Sequence, residues 1–431
     1  MRKRMTSIAT VGLATVLSLS VTLSQPSLAE AATKSKAAAT KSKAAAKKTK
    51  APVKKTKAPV VKPTRAPAKP TPAPAKPKTT TKATSTAVVL SATDIRLLTF
   101  VDSTMARLRS TAPVGAAPGT WKGSGGCWRC DAGPAMALAA ASALTEDPVR
   151  REEAERIFDY HLTTYQRPNG AFGTTVNGSD IDTTFFANEL GMSAILLKPT
   201  MDPARYARWS NAVARAADFL IVNKNLAWYT NGNIVLSNAL TMALAHRLTG
   251  DAKYATAYET AITFAASPPQ WRWPGRGLVT TVKGVLADGS DSKGYFTEEG
   301  ARGIGYDPEY THVQMDFLGS IMLVNGDSRA RNYLNMVTNQ LNDRLDKATW
   351  RLDNSGGTRK GQVGTTCPFD TGAYQVLGNL GGRADLQSSL RSHEDAFVKS
   401  YAPMDGDRLR AAFGWTAAMA IMSQPASSRL R

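Results

Sequence analysis

The chain is predicted to be mainly α, an (α/α) toroid of helical hairpins, on three observations. Apolar residues recur at three- and four-residue spacing, helix start and stop signals separate the recurring segments, and tight turns alternate with long Gly/Trp-rich loops. The segments fall near 94–110, 133–144, 150–165, 182–197, 203–223, 235–248, 252–266, 308–324, 329–345, 370–380, 384–400 and 408–422. Hairpins of this kind must bury their apolar stripes on neighbours, and closing them into a ring leaves no exposed end. No fixed-period repeat announces an open solenoid instead.

The elements are justified in chain order. Arg2, Lys3 and Arg4 precede an apolar run from Ile8 to Leu23, and Ala29-Glu30-Ala31 supplies small residues for cleavage, so residues 1–31 read as a signal peptide. The run is interrupted by Ser18, Ser20, Thr22 and Ser24, and no later segment is apolar enough to span a bilayer. The expectation is a secreted, extracellular protein.

Residues 32–88 are a disordered Lys/Ala/Pro-rich tail, with Lys-Lys-Thr-Lys-Ala-Pro-Val repeated at 47–53 and 54–60. Residues 31–93 hold 15 Lys and one Arg with no Asp or Glu, so the formal +20 of the chain leaves only +2 for residues 94–431. A flexible polycation binds dense polyanions by counterion release. Given export, an anionic envelope or extracellular polymer is the favoured partner, with retention at the cell wall; nucleic acid is the least favoured.

Residues 89–431 are expected to form a single toroid domain, since no Pro/Gly/Ser linker divides them. Asp202-Pro203 and Asp307-Pro308 put an acid at the N-cap and proline at the first helical position, and Gly250-Asp251 ends one helix and caps the next. Asp180 or Asp182 is expected to cap the helix it opens. Period-two alternation predicts strands only at Val279–Leu286 and Lys347–Leu352.

Five of the eight tryptophans, Trp121, Trp128, Trp228, Trp271 and Trp273, lie in loops between these helices, where indoles beside Arg and Asn read as platforms for sugar rings. Three cysteines in an exported chain suggest one disulfide and one free thiol, with the pairing of Cys127, Cys130 and Cys367 left open. His161 and His393 sit in charged helical patterns and are expected on the surface, and His246 near a helix C-terminus, packing or capping. Metal-ligand spacing, a nucleotide-binding glycine loop and a serine-nucleophile motif are absent, so neither metal nor cofactor is expected.

The segment from Gly294 to His312 concentrates the chemistry, with three tyrosines, four carboxylates, Arg302 and His312 around permissive glycines. Phenols and carboxylates that converge are what proton transfer requires. Asp288-Gly-Ser, Gly294-Tyr-Phe-Thr-Glu-Glu-Gly, Tyr306 and Tyr310, followed by an apolar helix, resemble the active-site loop of (α/α)-toroid polysaccharide lyases, the hyaluronate/chondroitin lyase-like and heparinase II/III-like groups. The resemblance implies cleavage of an acidic glycan by β-elimination, with Tyr310 as the proton-transfer phenol, Tyr306 beside it, and Asn231 or Asn233 neutralising the substrate carboxylate. His312, in the same first turn as Tyr310, is a further catalytic candidate, although positions two apart on a helix point about 200° from each other, which weakens a tight Tyr-His pair. Glu298 and Glu299 depart from the resemblance, standing where several such lyases have histidine. They favour an alternative, a glycoside hydrolase on the same fold, with Glu298, Glu299, Asp307 and Asp182 as candidate acids. A third reading is a noncatalytic wall-glycan-binding protein. The residues expected to hold the polysaccharide are Asn231, Asn233, Trp271, Trp273, Trp128, Arg302 and Asp182.

Overall fold

The computed structural model of the chain describes residues 89–124, 127–228, 231–268, 277–359, 366–402 and 407–430, and the segments expected to be a signal peptide and a basic tail lie outside them. Among these residues are twelve α-helices: α1 (Ala92–Thr111), α2 (Trp128–Thr145), α3 (Pro148–Tyr165), α4 (Asp180–Leu197), α5 (Pro203–Val222), α6 (Gly232–Thr249), α7 (Ala252–Ala266), α8 (Pro308–Asn325), α9 (Ser328–Asn342), α10 (Gly372–Leu380), α11 (Leu390–Ser400) and α12 (Asp407–Ser423). Each helical segment expected from the periodicity has its counterpart. No helix among the described residues is long and apolar enough to cross a membrane.

The even-numbered helices form an inner ring. Each packs on the next, α2 on α4, α4 on α6 and so on, and α12 returns to α2 to close the circle. The odd-numbered helices lie outside, α3 against α2, α5 against α4, α7 against α6 and α9 against α8. Composition separates the two sets. From Cys130 to Leu144, α2 is buried on every side, as a helix apolar all round must be, whereas α5 buries one stripe, Trp209, Ala212, Val213, Ala216, Ala217 and Leu220.

Ring closure depends on small residues and one buried ion pair. A Cβ on Gly414 would lie 2.0 Å from the Gly133 carbonyl oxygen, and one on Gly133 would lie 2.7 Å from the Ala411 Cα, so α2 and α12 approach more closely than any side chain permits. Beside this contact the Arg410 guanidinium, 1% exposed, holds Asp131 of α2 at 2.9 Å.

Two-residue turns at 146–147, 250–251 and 326–327 fold α3, α7 and α9 back along their inner partners, and the connection 198–202 does so for α5, so the inner helices run the same way. Their N-termini therefore gather at one mouth. The caps read from sequence are in place: Asp202 and Asp307 accept from first-turn N–H groups, and Gly250 closes α6 in the left-handed region before Asp251 caps α7. At α4 the expectation is corrected. Ser179 is the cap, accepting from the Asp182 N–H at 3.2 Å, which releases both acids for other contacts.

The short strands are more numerous than the alternation predicted. β1 (Leu278–Val282) pairs with β2 (Lys293–Phe296), β3 (Glu298–Gly300) with β4 (Gly303–Gly305), and β5 (Leu345–Asp346), β6 (Arg351–Asp353) and β7 (Thr366–Pro368) form a small sheet, all antiparallel. Only β1 and β6 fall in the expected segments. The others are two to four residues long, and in β2 to β4 glycine at 294, 300, 303 and 305 erases the period-two signal.

Candidate active site

Half-buried positions at the N-terminal ends of the inner helices surround the mouth, or well, of the ring. On α8 they make one stripe, Glu309, His312, Val313 and Asp316, and across the ring they are Arg129, Asp182 and Phe185. Below them the lumen is closed by aromatic rings from helices that are not ring neighbours: Phe185 of α4 meets Phe317 of α8 at 5.3 Å, and Phe317 meets Trp415 of α12 at 5.8 Å, both edge to face. Glu189 lies one turn beyond Phe185 and is enclosed, with burial pushing its carboxyl up to about 8.

The polar groups above this layer are arranged as two sides. On one, the Arg129 guanidinium donates to Asp182 at 2.9 Å and lies over the Phe185 ring at 4.9 Å. On the other, Asp316 accepts from the Thr371 hydroxyl at the start of α10, and Asp370 stands 3.4 Å from His312 Nε2 while accepting from Ser400 at 3.0 Å. Burial pushes the Asp316 carboxyl up to about 8, and the nearby Asp370 reinforces the shift. Asp370 is raised too, by burial, with His312 opposing. At neutral pH Asp316 is therefore a protonated acid facing the well.

A second carboxyl node holds the rim. Glu298 is fully buried; its Oε1 accepts from the Asn233 N–H at 2.7 Å and from Gln314 at 2.8 Å, its Oε2 from Asn231 at 3.0 Å and Arg359 at 3.5 Å. The carboxylate thus caps the first turn of α6 and ties it to β3, α8 and the 354–359 segment. Burial pushes Glu298 up to about 7 against these donors. Asp307 takes the Arg359 N–H at 2.9 Å, and the Arg359 guanidinium lies over the Tyr310 ring at 3.7 Å.

The structure brings Glu298, Asn231, Asn233, Asp307 and Tyr310 together through Arg359, and leaves the other expected residues apart. Tyr306 packs on Tyr295 at 4.8 Å beneath Arg344, its hydroxyl buried and its phenol held above the ordinary range by that burial. Glu299 and Arg302 are exposed, and His312 Nε2 lies 3.4 Å from Asp370. Trp128 is half-buried, stacked on Tyr165 at 4.1 Å, so its indole plugs the rim in place of standing free as a sugar platform. Trp121 is likewise buried, donating to the Asp131 carbonyl at 3.0 Å, while Trp228 is exposed. Trp271 and Trp273 lie outside the described residues.

Two histidines differ from expectation. His161 and His393 are buried, not surface groups, and burial lowers them to about 4 and about 3 respectively. The rings pack on Trp128 and Trp350. His246 is exposed at the end of α6, its Nδ1 3.2 Å from the Asp251 carbonyl. The disulfide joins Cys127 to Cys130; Cys367 is a half-buried free thiol pushed up to about 12 by burial.

Arg129, Asp316, Asp370, Gln314 and Arg359 are the site groups the sequence reading did not single out. One signal was available: Asp316 interrupts an apolar helix one turn after His312, a spacing that puts both on one face. Elsewhere, a groove of about 510 Å³ between α3 and α5 has walls of Arg151, Glu155, Asp159 and Arg205 whose charges answer one another, Arg205 reaching Glu155 at 2.6 Å and Asp159 at 3.0 Å.

No protein-family model and no curated protein matches this sequence. Solved structures do match. A family 88 glycosyl hydrolase from Bacteroides vulgatus aligns at 12% identity over 77% of this chain and 99% of its own, with a TM-score of 0.50. The shared property is the fold. A polysaccharide lyase aligns at 10% identity over 77% of this chain and 98% of its own, TM-score 0.48. A family 76 glycoside hydrolase from a bovine Bacteroides thetaiotaomicron strain aligns at 9% identity over 76% and 77%, TM-score 0.44.

Proposed function

We propose that the protein is a carbohydrate-active enzyme that hydrolyses glycosidic bonds in the well at the N-terminal mouth of its inner ring. The observation that carries this reading is that two acids stand on inner helices that are not ring neighbours but meet through Phe185 and Phe317 at 5.3 Å, Asp182 of α4 bound to the Arg129 guanidinium and Asp316 of α8 with its carboxyl raised by burial. Glycoside hydrolysis uses one carboxylic acid to protonate the departing oxygen and one carboxylate on the other side of the sugar. In this reading Asp316 gives its proton to the glycosidic oxygen as the C–O bond breaks, and Asp182 draws a proton from the water that attacks the anomeric carbon. The glycosyl hydrolase with which the chain shares its fold supports the same class of chemistry.

The test is incubation with a panel of neutral and acidic polysaccharides, following reducing ends and the ultraviolet absorbance of an unsaturated uronate together. Reducing ends without absorbance, abolished by Asp316→Asn, are expected. A rise in absorbance would select the β-elimination reading, which one contact favours: the Arg359 cation over the Tyr310 ring is placed to accompany a phenol-centred proton transfer. Against it, the Asn231 amide that would neutralise a substrate carboxylate donates to Glu298 and to the Glu299 carbonyl. No product with any glycan would leave the binding-protein reading.

We also propose export, with retention on an anionic wall polymer through the Lys-rich stretch, because that stretch carries most of the net positive charge of the chain. Full-length protein should bind teichoic-type or other anionic polymer in a salt-sensitive way. A form lacking residues 32–86 that binds equally well would remove this part of the reading.

A further inference from the structure

Among the described residues, four inner helices have the first turn held by a hydrogen-bonding device. Ser179 caps α4, Asp307 caps α8, Thr371 caps α10, and the Glu298 carboxylate takes an N–H of the first turn of α6. At α2 the capping position is Cys127, whose side chain makes no capping hydrogen bond. A covalent link replaces it: Cys127 is joined to Cys130 across the first turn.

The two residues enclosed by that link face the mouth. Trp128 stacks on Tyr165 at an interplanar angle of 21°. Arg129 donates to Asp182 at 2.9 Å, lies over Phe185, and turns its other guanidinium edge to Cys130 Sγ at 3.6 Å. The link encloses so short a loop that its effect on unfolded-chain entropy is small. The rest of α2 is fixed independently, by its burial from Cys130 to Leu144, by Asp131 with Arg410, and by the Gly133–Gly414 approach. What the disulfide controls is therefore local: the path of the turn that carries Arg129.

We infer that the Cys127–Cys130 disulfide is a positioning element of the well, holding Arg129 against Asp182, and that its reduction uncouples this pair while the ring stays folded. This makes the mouth sensitive to dithiols. A reagent thiolate attacks the half-buried Cys127 sulfur, the S–S bond breaks with Cys130 leaving as thiolate, and the second reagent thiol displaces Cys127. The products are two protein thiols and one cyclic reagent disulfide, two electrons and two protons having passed to the protein. For its effect on rate the inference rests on the hydrolase reading; for the uncoupling itself it does not.

The experiment is hydrogen–deuterium exchange of the full chain before and after treatment with dithiothreitol, with thiol counts under denaturing conditions confirming a rise from one to three. Peptides covering 127–131 and 180–186 should lose protection by about tenfold while those covering α8 and α12 keep theirs. Unchanged exchange in both peptides, or loss around the whole ring, overturns the inference. The Cys127→Ser/Cys130→Ser chain should reproduce the reduced pattern without reagent. Where glycan turnover is measurable, reduction should lower kcat in the wild type and have no further effect on Arg129→Ala; an equal fall in both would also defeat it. Because exchange is read without substrate, an inactive protein still decides the matter.

Discussion

Two of the carboxyl groups that burial raises at the mouth of the ring, Glu298 and Asp316, are built differently. Glu298 is closed on every side and meets four donors from three other segments; Asp316 meets one hydroxyl, stands beside another acid, and shares a helix face with groups that solvent reaches. A carboxylate with its oxygens engaged holds elements together, whereas one kept protonated by burial and met by few donors has a proton to give. The contrast separates a structural keystone from a candidate catalyst within one small region.

The largest effect that would break this contrast is on turnover. Asp316→Asn should reduce hydrolysis by about 10³-fold, the scale of losing a general acid, while the circular dichroism and melting temperature stay at or above wild type. Conversely, Glu298→Ala should act on stability. Removing it strands the Asn233 N–H and the Gln314 amide and leaves Arg359 without this partner, at about 3 to 5 kcal/mol by urea denaturation. Glu298→Gln should cost less, since the amide oxygen still accepts.

A smaller effect concerns pH. Asp316 is raised to about 8 in the folded chain from an ordinary 3.8, so between those values the folded state keeps a proton that the unfolded state releases. Its share of stability is therefore greatest below about pH 4 and declines as pH rises toward 8. Glu189 and Glu298, also raised, act in the same sense. Urea denaturation at pH 5 and pH 8 should show the decline, and Asp316→Asn should flatten it. The smallest effect is expected from Tyr310→Phe, which should change hydrolysis only a few-fold; abolished turnover with preserved binding would favour the β-elimination reading.

Much of this architecture was legible in the residues. Helices α5 and α8 declared themselves by Asp-Pro starts, α7 by the Gly250-Asp251 junction, and the outer helices by stripes such as Trp209 to Leu220. The parts that were not legible share a cause, namely that long-range partners decide them. Glu298 could be read as a notable acid but not as the cap of α6, because Asn231 and Asn233 lie far away in sequence. His161 and His393 looked like surface groups because local charge pattern carries no record of Trp128 or Trp350 packing against them. Asp316 was overlooked for the converse reason. A single acid in an apolar helix has many ordinary explanations, and only the closed ring shows that its face opens on the well.

The most direct measurement is the titration of the Asp316 carboxyl itself, by carbon-13 NMR of side-chain-labelled aspartates with Asp316→Asn used to assign the signal. The account expects that resonance to titrate near pH 8, with Asp370 coupled to it. A midpoint in the ordinary aspartate range, near 3.8, would leave the well without its proton donor and contradict the account.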